Sequence, residues 1–251
     1  MSPSAAPQLK AQPVLLIDAV VWPPTTPAAD PRRDVPRWYA RWLADLAGVT
    51  LRTASATDDV LGQLDHGVRA VILSGSPRDA WSDDPINARL LEVIQACRSR
   101  AVPFLGVCYG HQLLARALGG PVGRHPAGLE LGNIDIELTP AGRAAPLFAG
   151  LPARFGVLSS HADAVLELPA GCELLAQGRH TLIQAFHREQ RYFGVQFHPE
   201  TDPETLRFIW EPRRATWRTR VGFDLDHVLD HLAPTPWAAA ILRNFVTYYI
   251  A

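Results

Sequence analysis

The most constraining feature of this 251-residue chain is a cysteine on a sharp turn between a strand-like run and a helix-like run. Residues 102–107 are apolar and of strand type, and residues 110–118 have helical spacing, so Cys108 falls on the turn between them. Gly106 and Gly110 flank it, as expected where the backbone passes close to itself and a Cβ would clash. The pattern predicts a nucleophile elbow, with a helix N-terminus directed at the sulfur to favour the reactive thiolate.

A second motif supplies a candidate partner for the cysteine. Residues 192–197 form another apolar, strand-like run, which ends in His198, Pro199 and Glu200. Alternate residues of a strand share a face, and Pro199 suits a strand terminus because it has no N–H to donate. A carboxylate beside a histidine fixes its tautomer and stabilises the imidazolium, so that the histidine can take a proton from a cysteine.

Together these motifs resemble the class I (triad) glutamine amidotransferase domain. The resemblance rests on Gly-Val-Cys-Tyr-Gly-His-Gln at residues 106–112 and Phe-His-Pro-Glu at residues 197–200, and it extends over roughly residues 13–205. It implies Cys108 as the nucleophile, His198 as general base and acid, and Glu200 as the orienting carboxylate. It also implies a glutamyl thioester that water hydrolyses.

The resemblance extends to a turn that follows a predicted buried strand, residues 69–73. Hydrolysis through a tetrahedral intermediate needs backbone donors aimed at the developing oxyanion. In the family this turn provides one donor and the residue after the cysteine, here Tyr109, provides the other. Many family members have two glycines in the turn, and Ser76 occupies one of those places, so the first donor stays open between Gly75 and Ser76.

A further matching segment, residues 159–163, is expected to hold the α-amino and α-carboxylate groups of a glutamyl substrate. Gln112, on the helix after the cysteine, is expected to assist. The alternative is that two of these side chains only cap a turn, and His111 is predicted to be a packed helix residue rather than a base. The residues implied in substrate binding are Ser160, His161, Ala162 and Asp163.

Composition limits the class of partner. The net charge of −1 gives no electrostatic footprint for nucleic acid, and no run approaches the ~20 apolar residues of a membrane span. Cys97, Cys108 and Cys172 have no CxxC spacing, and their odd number argues against a disulfide framework, so a cytoplasmic location is predicted. No cofactor is implied, and no metal is expected at His227 and His231, which are interpreted as a solvated helix face.

The alternation of strands and helices predicts a three-layer α/β fold, flavodoxin-like, with a mainly parallel sheet and helices on both faces. Short strands after residue 133 predict an antiparallel extension. The predicted strands are residues 14–19, 69–73, 102–107, 134–138, 153–158, 173–177, 181–186 and 192–197, with a hairpin turn at Glu189-Gln190. The predicted helices are residues 37–47, 86–98, 110–118, 203–210 and 237–249.

Three units are expected along the chain: a disordered tail (1–12), the amidotransferase domain (13–205) and a C-terminal helical extension packed on it (206–251). The proline-rich residues 22–36 are predicted to lack regular structure, either as a loop over the leaving-group side of the site or as a surface excursion. An arginine-rich stretch in the extension is interpreted as a linker with solvated arginines, and alternatively as a partner surface. It contains Trp210, Arg213, Arg214, Trp217, Arg218 and Arg220.

Two reactions remain open at this stage. One is a glutaminase that passes ammonia to a synthetase, which would be a separate chain because no Gly-x-x-x-x-Gly-Lys-[Ser/Thr] phosphate loop is present. The other is a free-standing γ-glutamyl hydrolase. Residues 74–85 and 120–124 resemble the stand-alone branch related to the amidotransferase domain of GMP synthetase, which includes γ-glutamyl peptidases. A third possibility, an inactive binding or regulatory relative, is disfavoured by the intact triad.

Overall fold

The computed structural model describes residues 12–24 and 26–250. The predicted tail lies outside these residues except for Gln12, which begins the first strand. The strands are β1 Gln12–Asp18, β2 Val49–Ser55, β3 Ala70–Leu73, β4 Phe104–Val107, β5 Val122–Arg124, β6 Glu130–Leu138, β7 Arg154–His161, β8 Asp163–Val165, β9 Glu173–Gly178, β10 Ala185–Arg188 and β11 Tyr192–Val195. The helices are α1 Val35–Leu43, α2 Val60–Gln63, α3 Pro85–Ser99, α4 Tyr109–Ala117, α5 Pro140–Ala144, α6 Pro203–Trp210, α7 Arg214–Trp217, α8 Leu225–Asp230 and α9 Ala240–Ile250.

One nine-stranded sheet organises the molecule, in the order β2-β1-β3-β4-β11-β10-β9-β6-β7. The strands from β2 to β11 pair in parallel, and those from β11 to β7 pair antiparallel. Strand β11 joins the two halves, and its Val195 pairs with Val107 of β4. The carboxyl ends of β4 and β11 therefore lie side by side, which brings together the segments that carry Cys108 and His198.

Helices cover both faces of the parallel half, because successive residues of a strand point to opposite sides. In β1, Val14 and Leu16 belong to a core with α1 and α9, whereas Leu15 and Ile17 belong to a second core with α2, α3 and α4. Burial of each such side chain contributes about 1.5–3 kcal/mol. The predicted three-layer α/β architecture is confirmed, and no described helix is long and apolar enough to cross a membrane.

Several strand predictions differ from the structure, and the short strands β5 and β8 are among the strands that were not predicted. Strand β2 was not predicted, because it is an edge strand with mostly exposed or half-buried residues and lacks an apolar run. The strand predicted at residues 181–186 instead begins at Ala185, and its pairing with β9 is irregular between Ala185 and Phe186. The predicted hairpin turn is confirmed, since Glu189 and Gln190 both have positive φ, 58° and 46°, as in a type I′ turn.

The prediction that residues 22–36 lack regular structure is wrong for their last third. A 3₁₀ helix spans Pro31–Arg33, and α1 begins at Val35. Aspartates cap both helices: the Asp30 carboxylate accepts from the Arg32 amide, and the Asp34 carboxylate accepts from the Arg37 amide. Proline fits the first turn of a helix because its missing N–H would have no intrahelical partner there.

Helices α6 and α8 pack on the antiparallel half of the sheet. Leu206 of α6 and Leu229 of α8 share a core with Leu131 and Leu158 of β6 and β7. The interpretation of the arginine-rich stretch as a linker with solvated arginines is borne out for Arg218 and Arg220, which are exposed, but not for Arg213 and Arg214, which are partly buried. Arg214 and Arg218 both pair with Asp226, the stretch itself is helical, and Arg213 lines a cavity.

Candidate active site

Cys108 follows β4 directly and has an unusual backbone conformation, φ 50° and ψ −98°. Positive φ is uncommon outside glycine, so Cys108 has a strained backbone conformation at the predicted elbow. The Cys108 amide donates to the Val195 carbonyl at 2.8 Å, and its carbonyl accepts from the Gln112 amide at 3.0 Å. The neighbouring strand and the first turn of α4 thus hold the strained residue from both sides.

The two flanking glycines are required by close backbone contacts. A Cβ on Gly106 would lie 2.3 Å from the carbonyl carbon and oxygen of Gly110, and a Cβ on Gly110 would lie 2.5 Å from the Leu73 carbonyl oxygen. Contacts this short with backbone atoms cannot be relieved by a side-chain rotation. The elbow therefore packs against β3 and against its own helix only because both positions lack a side chain.

His198 lies just beyond β11, where its amide donates to the Leu158 carbonyl at 2.9 Å. Its Nδ1 lies 2.8 Å from Oε1 of Glu200, and the other side of the ring faces the Cys108 side chain. Burial alone would lower the pKa of His198, but the Glu200 carboxylate and the Cys108 sulfur raise it well above the ordinary 6.5. The structure thus brings together the three residues predicted as a triad, with an ionic link between the histidine and the carboxylate.

Helix α1 holds Glu200 through contacts that the sequence analysis missed. The Glu200 carbonyl accepts hydrogen bonds from the Arg41 guanidinium and from Nε1 of Trp42, and Arg41 also pairs with Asp202. The Glu200 side chain is only 2% exposed. The apolar face of α1 is evident from sequence, but nothing in its spacing indicates which distant backbone carbonyl these side chains contact.

The turn after β3 borders the same site. A Cβ on Gly75 would lie 3.0 Å from Cε1 of His198 and 3.7 Å from Cβ of Cys108, so Gly75 packs directly against both residues. Ser76 lines the cavity beside it. The Tyr109 amide belongs to the first turn of α4, where N–H groups have no intrahelical acceptor. The predicted oxyanion donors therefore come from two segments next to the cysteine.

The predicted substrate-binding residues lie on the end of β7 and the start of β8. The Ser160 carbonyl is 3.9 Å from the Cys108 sulfur. Gln112 donates from Nε2 to the Asp163 carbonyl at 2.8 Å, and Nδ1 of His161 lies 2.9 Å from the same oxygen. All of the predicted substrate-binding residues line one cavity: Gln112, Ser160, His161, Ala162 and Asp163.

A buried carboxylate behind this segment was not anticipated from the sequence. Oε2 of Glu130 lies 2.9 Å from Nε2 of His161 and accepts from Ser159 at 3.1 Å and from Gln184 at 2.8 Å. Burial raises the pKa of Glu130, but the hydrogen bond and charge of His161 outweigh it, so that the pKa is lowered overall. The role of His161 is therefore more than a turn cap, since it ties the segment to β6.

Asp163 belongs to a charged cluster at the cavity edge. Its carboxylate accepts from Nε1 of Trp81 at 3.0 Å and pairs with Arg124 at 3.1 Å. Arg124 also pairs with Asp79 at 3.1 Å. The cluster offers both signs of charge, which suits the zwitterionic α-amino and α-carboxylate end of an amino acid.

The cavity has a volume of about 320 Å³, within the range of small-molecule sites. One part of its lining is polar and includes Gln112, Arg124 and Asp163. Another part is apolar and comes mainly from the loop after β1, from α1 and from the C-terminal extension. The apolar lining residues are Val20, Val21, Trp22, Val35, Trp38, Leu129, Leu206, Ile209, Trp210 and Trp217.

His111 is not part of the cavity. It is fully buried against Phe186, with a ring separation of 4.9 Å, and burial lowers its pKa to about 3. The prediction of a packed helix residue is confirmed. Within residues 12–24 and 26–250, no group of three histidine, cysteine or acidic side chains is arranged to hold a metal ion.

The chain is similar in sequence to several known proteins. The chain is 40% identical over 164 residues to the glutamine-hydrolyzing GMP synthase of Aeropyrum pernix, an alignment that covers 64% of this chain and 30% of the synthase. It is 33% identical over 138 residues to gamma-glutamyl peptidase 3 of Arabidopsis thaliana, covering 54% of this chain and 55% of the peptidase. The chain therefore spans only about a third to about half the length of these curated relatives.

A solved glutamine amidotransferase of Thermotoga maritima has the same fold. It superposes with a TM-score of 0.71 at 20% identity, covering 95% of this chain and 97% of that one. The model of the family "Glutamine amidotransferase class-I" matches residues 39–207, more than half of the chain. The predicted family, fold and enzyme class are thereby confirmed, and the chain belongs to the class-I glutamine amidotransferase family.

Proposed function

We propose that this protein hydrolyses γ-glutamyl amide bonds through a glutamyl thioester on Cys108. The Cys108 thiolate attacks the γ-carbonyl carbon, and the amides of Tyr109 and of Gly75 or Ser76 stabilise the resulting oxyanion. Collapse of the tetrahedral intermediate breaks the C–N bond, and His198 gives its proton to the departing amine. A water molecule, deprotonated by His198, then attacks the thioester, releases glutamate and restores the thiolate–imidazolium pair.

The electrostatics of the site support these roles. A raised pKa favours the protonated form of His198, which suits a group that must protonate an amine. The 2.8 Å contact between Nδ1 and Glu200 keeps the other ring nitrogen directed at Cys108. Glu200 therefore acts in the proposal as a positioning and charge-stabilising residue rather than as a proton donor.

Substrate orientation is assigned to the polar part of the cavity. In the proposal, Gln112 and residues 160–163 hold the α-amino and α-carboxylate groups of the glutamyl moiety. The network of Glu130 and His161 behind them limits the movement of that segment. We also propose that residues 13–205 form the catalytic domain, with residues 206–251 as an extension that shapes the leaving-group side.

The apolar part of the cavity favours a free-standing γ-glutamyl hydrolase over a simple glutaminase. Ammonia is about the size of water, whose share of liquid volume is about 30 Å³. Ammonia therefore has no apolar surface to bury against a wall that contains Trp22, Trp38, Trp210 and Trp217. A bulky amine would bury apolar surface against those rings, and this lining is the observation that carries the proposal.

The second candidate is an ammonia donor for a separate synthetase chain. It is favoured by the 40% identity to a GMP synthase, of which the alignment covers only 30%. In that case the remainder of such an enzyme would be a partner protein. Both candidates share the same chemistry at Cys108 and differ in the leaving group, so one assay separates them.

The assay measures glutamate released from L-glutamine and from a series of γ-glutamyl dipeptides. The proposal expects a higher kcat/KM for dipeptides than for glutamine, complete loss in Cys108→Ala and unchanged rates in Cys97→Ala, a fully buried cysteine. Glutamine turnover that rises only when a synthetase is added would select the ammonia donor. Turnover that survives Cys108→Ala would refute the mechanism, and binding without any turnover would select an inactive relative.

A reducing, cytoplasmic location is part of the proposal. All three cysteines are free, and Cys108 must remain a thiolate to act. Oxidation of Cys108 to a sulfenic acid would abolish its nucleophilicity. Treatment with hydrogen peroxide should therefore inactivate the enzyme, and a thiol reductant should restore it.

A further inference from the structure

An arginine without a carboxylate partner lines the apolar part of the cavity. Arg213 ends the 3₁₀ turn Glu211–Arg213, and its Nη1 donates to the Ile209 carbonyl at 2.8 Å. No carboxylate within residues 12–24 and 26–250 pairs with it. The other cavity arginines differ, because Arg78 pairs with Asp84 and Arg124 pairs with Asp79 and Asp163.

The acidic residues near Arg213 are engaged by its neighbour. Arg214 pairs with Glu211, Asp226 and Asp230, so these three carboxylates already have a cationic partner. Burial lowers the pKa of Arg213, and no acidic group offsets that effect. A guanidinium stays charged in proteins, so a partly buried one without an anion carries an uncompensated desolvation cost. An anionic ligand would offset that cost.

The wall beside Arg213 is aromatic and begins next to the nucleophile. The ring of Trp210 contacts that of Trp217 edge to face, with centroids 5.6 Å apart. Nε1 of Trp210 donates to Oγ of Ser160 at 2.8 Å, and the Ser160 carbonyl contacts the Cys108 sulfur. The amine that departs as the thioester forms would therefore enter a cavity whose wall includes this aromatic pair and Arg213.

We infer that Arg213 binds the carboxylate of the leaving group, and that the preferred substrates are γ-glutamyl dipeptides with an apolar or aromatic second residue. The inference rests on the proposed hydrolase function and names the substrate class of that site. Cleavage of such a dipeptide releases an α-amino acid, whose carboxylate is separated from the scissile nitrogen by one carbon. A guanidinium can bind it with two parallel N–H donors, whereas ammonia offers no such group.

The kinetic test compares γ-glutamylphenylalanine with its C-terminal carboxamide, which lacks only the negative charge. We expect the wild-type protein to prefer the acid by about 10- to 100-fold in kcat/KM, the range of one charged hydrogen-bonded contact. Arg213→Gln should bring this ratio towards one, mainly through KM, and Arg213→Lys should keep part of it. Arg220→Gln, an exposed arginine of the same stretch, is the matched control and should keep the full ratio.

A binding measurement separates the inference from the proposed function. In the Cys108→Ala protein, calorimetry with γ-glutamylphenylalanine should give a Kd that rises about 10- to 100-fold when Arg213→Gln is added. Hydrolysis with equal acid and amide rates, or with a ratio that Arg213→Gln does not change, would overturn the role of Arg213 alone. Tight, Arg213-dependent binding without hydrolysis in the wild type would overturn the proposed reaction alone, and no binding would overturn both.

Discussion

Replacement of Glu200 by glutamine removes one charge from the pair with His198 and leaves the side-chain size almost unchanged. The amide oxygen of glutamine can still accept the hydrogen bond from Nδ1, which spans 2.8 Å in the wild type. Because Glu200 is only 2% exposed, solvent and salt screen the pair weakly. At a charge separation of about 4 Å and an effective dielectric constant of about 20, the lost attraction is about 4 kcal/mol.

This loss acts on the proton that His198 transfers in the proposed reaction. Burial lowers the pKa of His198, and Glu200 is the largest of the influences that raise it, so the variant histidine loses its proton more readily. A barrier increase of about 4 kcal/mol would correspond to about 10³-fold in rate, and the retained hydrogen bond and Cys108 offset part of it. We expect kcat/KM for a γ-glutamyl dipeptide to fall about 10²- to 10³-fold at pH 7.

The assay is glutamate release by wild type, Glu200→Gln and Glu204→Gln, an exposed control in the first turn of α6. The raised pKa of His198 also predicts a stability effect. Its protonated form stabilises the folded state fully below about pH 6.5, and this contribution is lost as pH rises through the folded pKa. The difference in unfolding free energy between the wild type and Glu200→Gln should therefore be largest near pH 5–6.5. A kcat/KM within about threefold of wild type, or an equal loss in Glu204→Gln, would refute the reasoning.

Gly106→Ala should lower the unfolding free energy by about 1–3 kcal/mol or more, because the new Cβ would lie 2.3 Å from the Gly110 backbone. Gly222→Ala is the control, because a Cβ there has open space. Equal urea midpoints for the two variants would contradict this prediction. Glu130→Gln should destabilise the fold at neutral pH. Because the folded pKa of Glu130 is lowered, its contribution is present above about pH 4.5 and lost as pH falls through the folded value, so an equal loss in melts at pH 7 and pH 3 would argue against it. Replacement of residues 23–30 by a short flexible link should alter the relative kcat/KM among γ-glutamyl dipeptides, because Trp22 lines the cavity; unchanged ratios, with iodoacetamide still reacting at Cys108, would exclude that role for the loop.

The elbow could be predicted from sequence because its constraints are local. The spacing of Gly106 and Gly110 around Cys108 reflects contacts within a few residues and with the adjacent strand, and such contacts leave a readable pattern of residue types. The same holds for His198 and Glu200, which share one strand end. The alternation of strands and helices likewise predicted the layers of the fold. It failed at the edge strand β2, whose residues are mostly exposed or half-buried and form no apolar run.

The residues that support the site could not be predicted, because their roles depend on tertiary position. Glu130 is one of several acidic residues in a strand, and only the pairing of β6 with β7 sets it opposite His161. Arg41 reaches the Glu200 carbonyl across 159 residues of sequence separation. No local spacing encodes either contact, so a sequence without its fold offers no signal for them.

The contrast between Arg213 and Arg214 illustrates that a role in substrate specificity also depends on tertiary position. The two are adjacent and identical in side chain, yet one pairs with three acidic residues and the other faces an aromatic cavity. Helix α8 creates the difference, because it brings Asp226 and Asp230 to only one of them. Because the elbow of this chain is set by local backbone contacts, leaving-group preference can change through a peripheral segment without any alteration near Cys108. A change of substrate therefore needs no change of the elbow, and the C-terminal extension is the part of this chain in which we expect substrate preference to be determined.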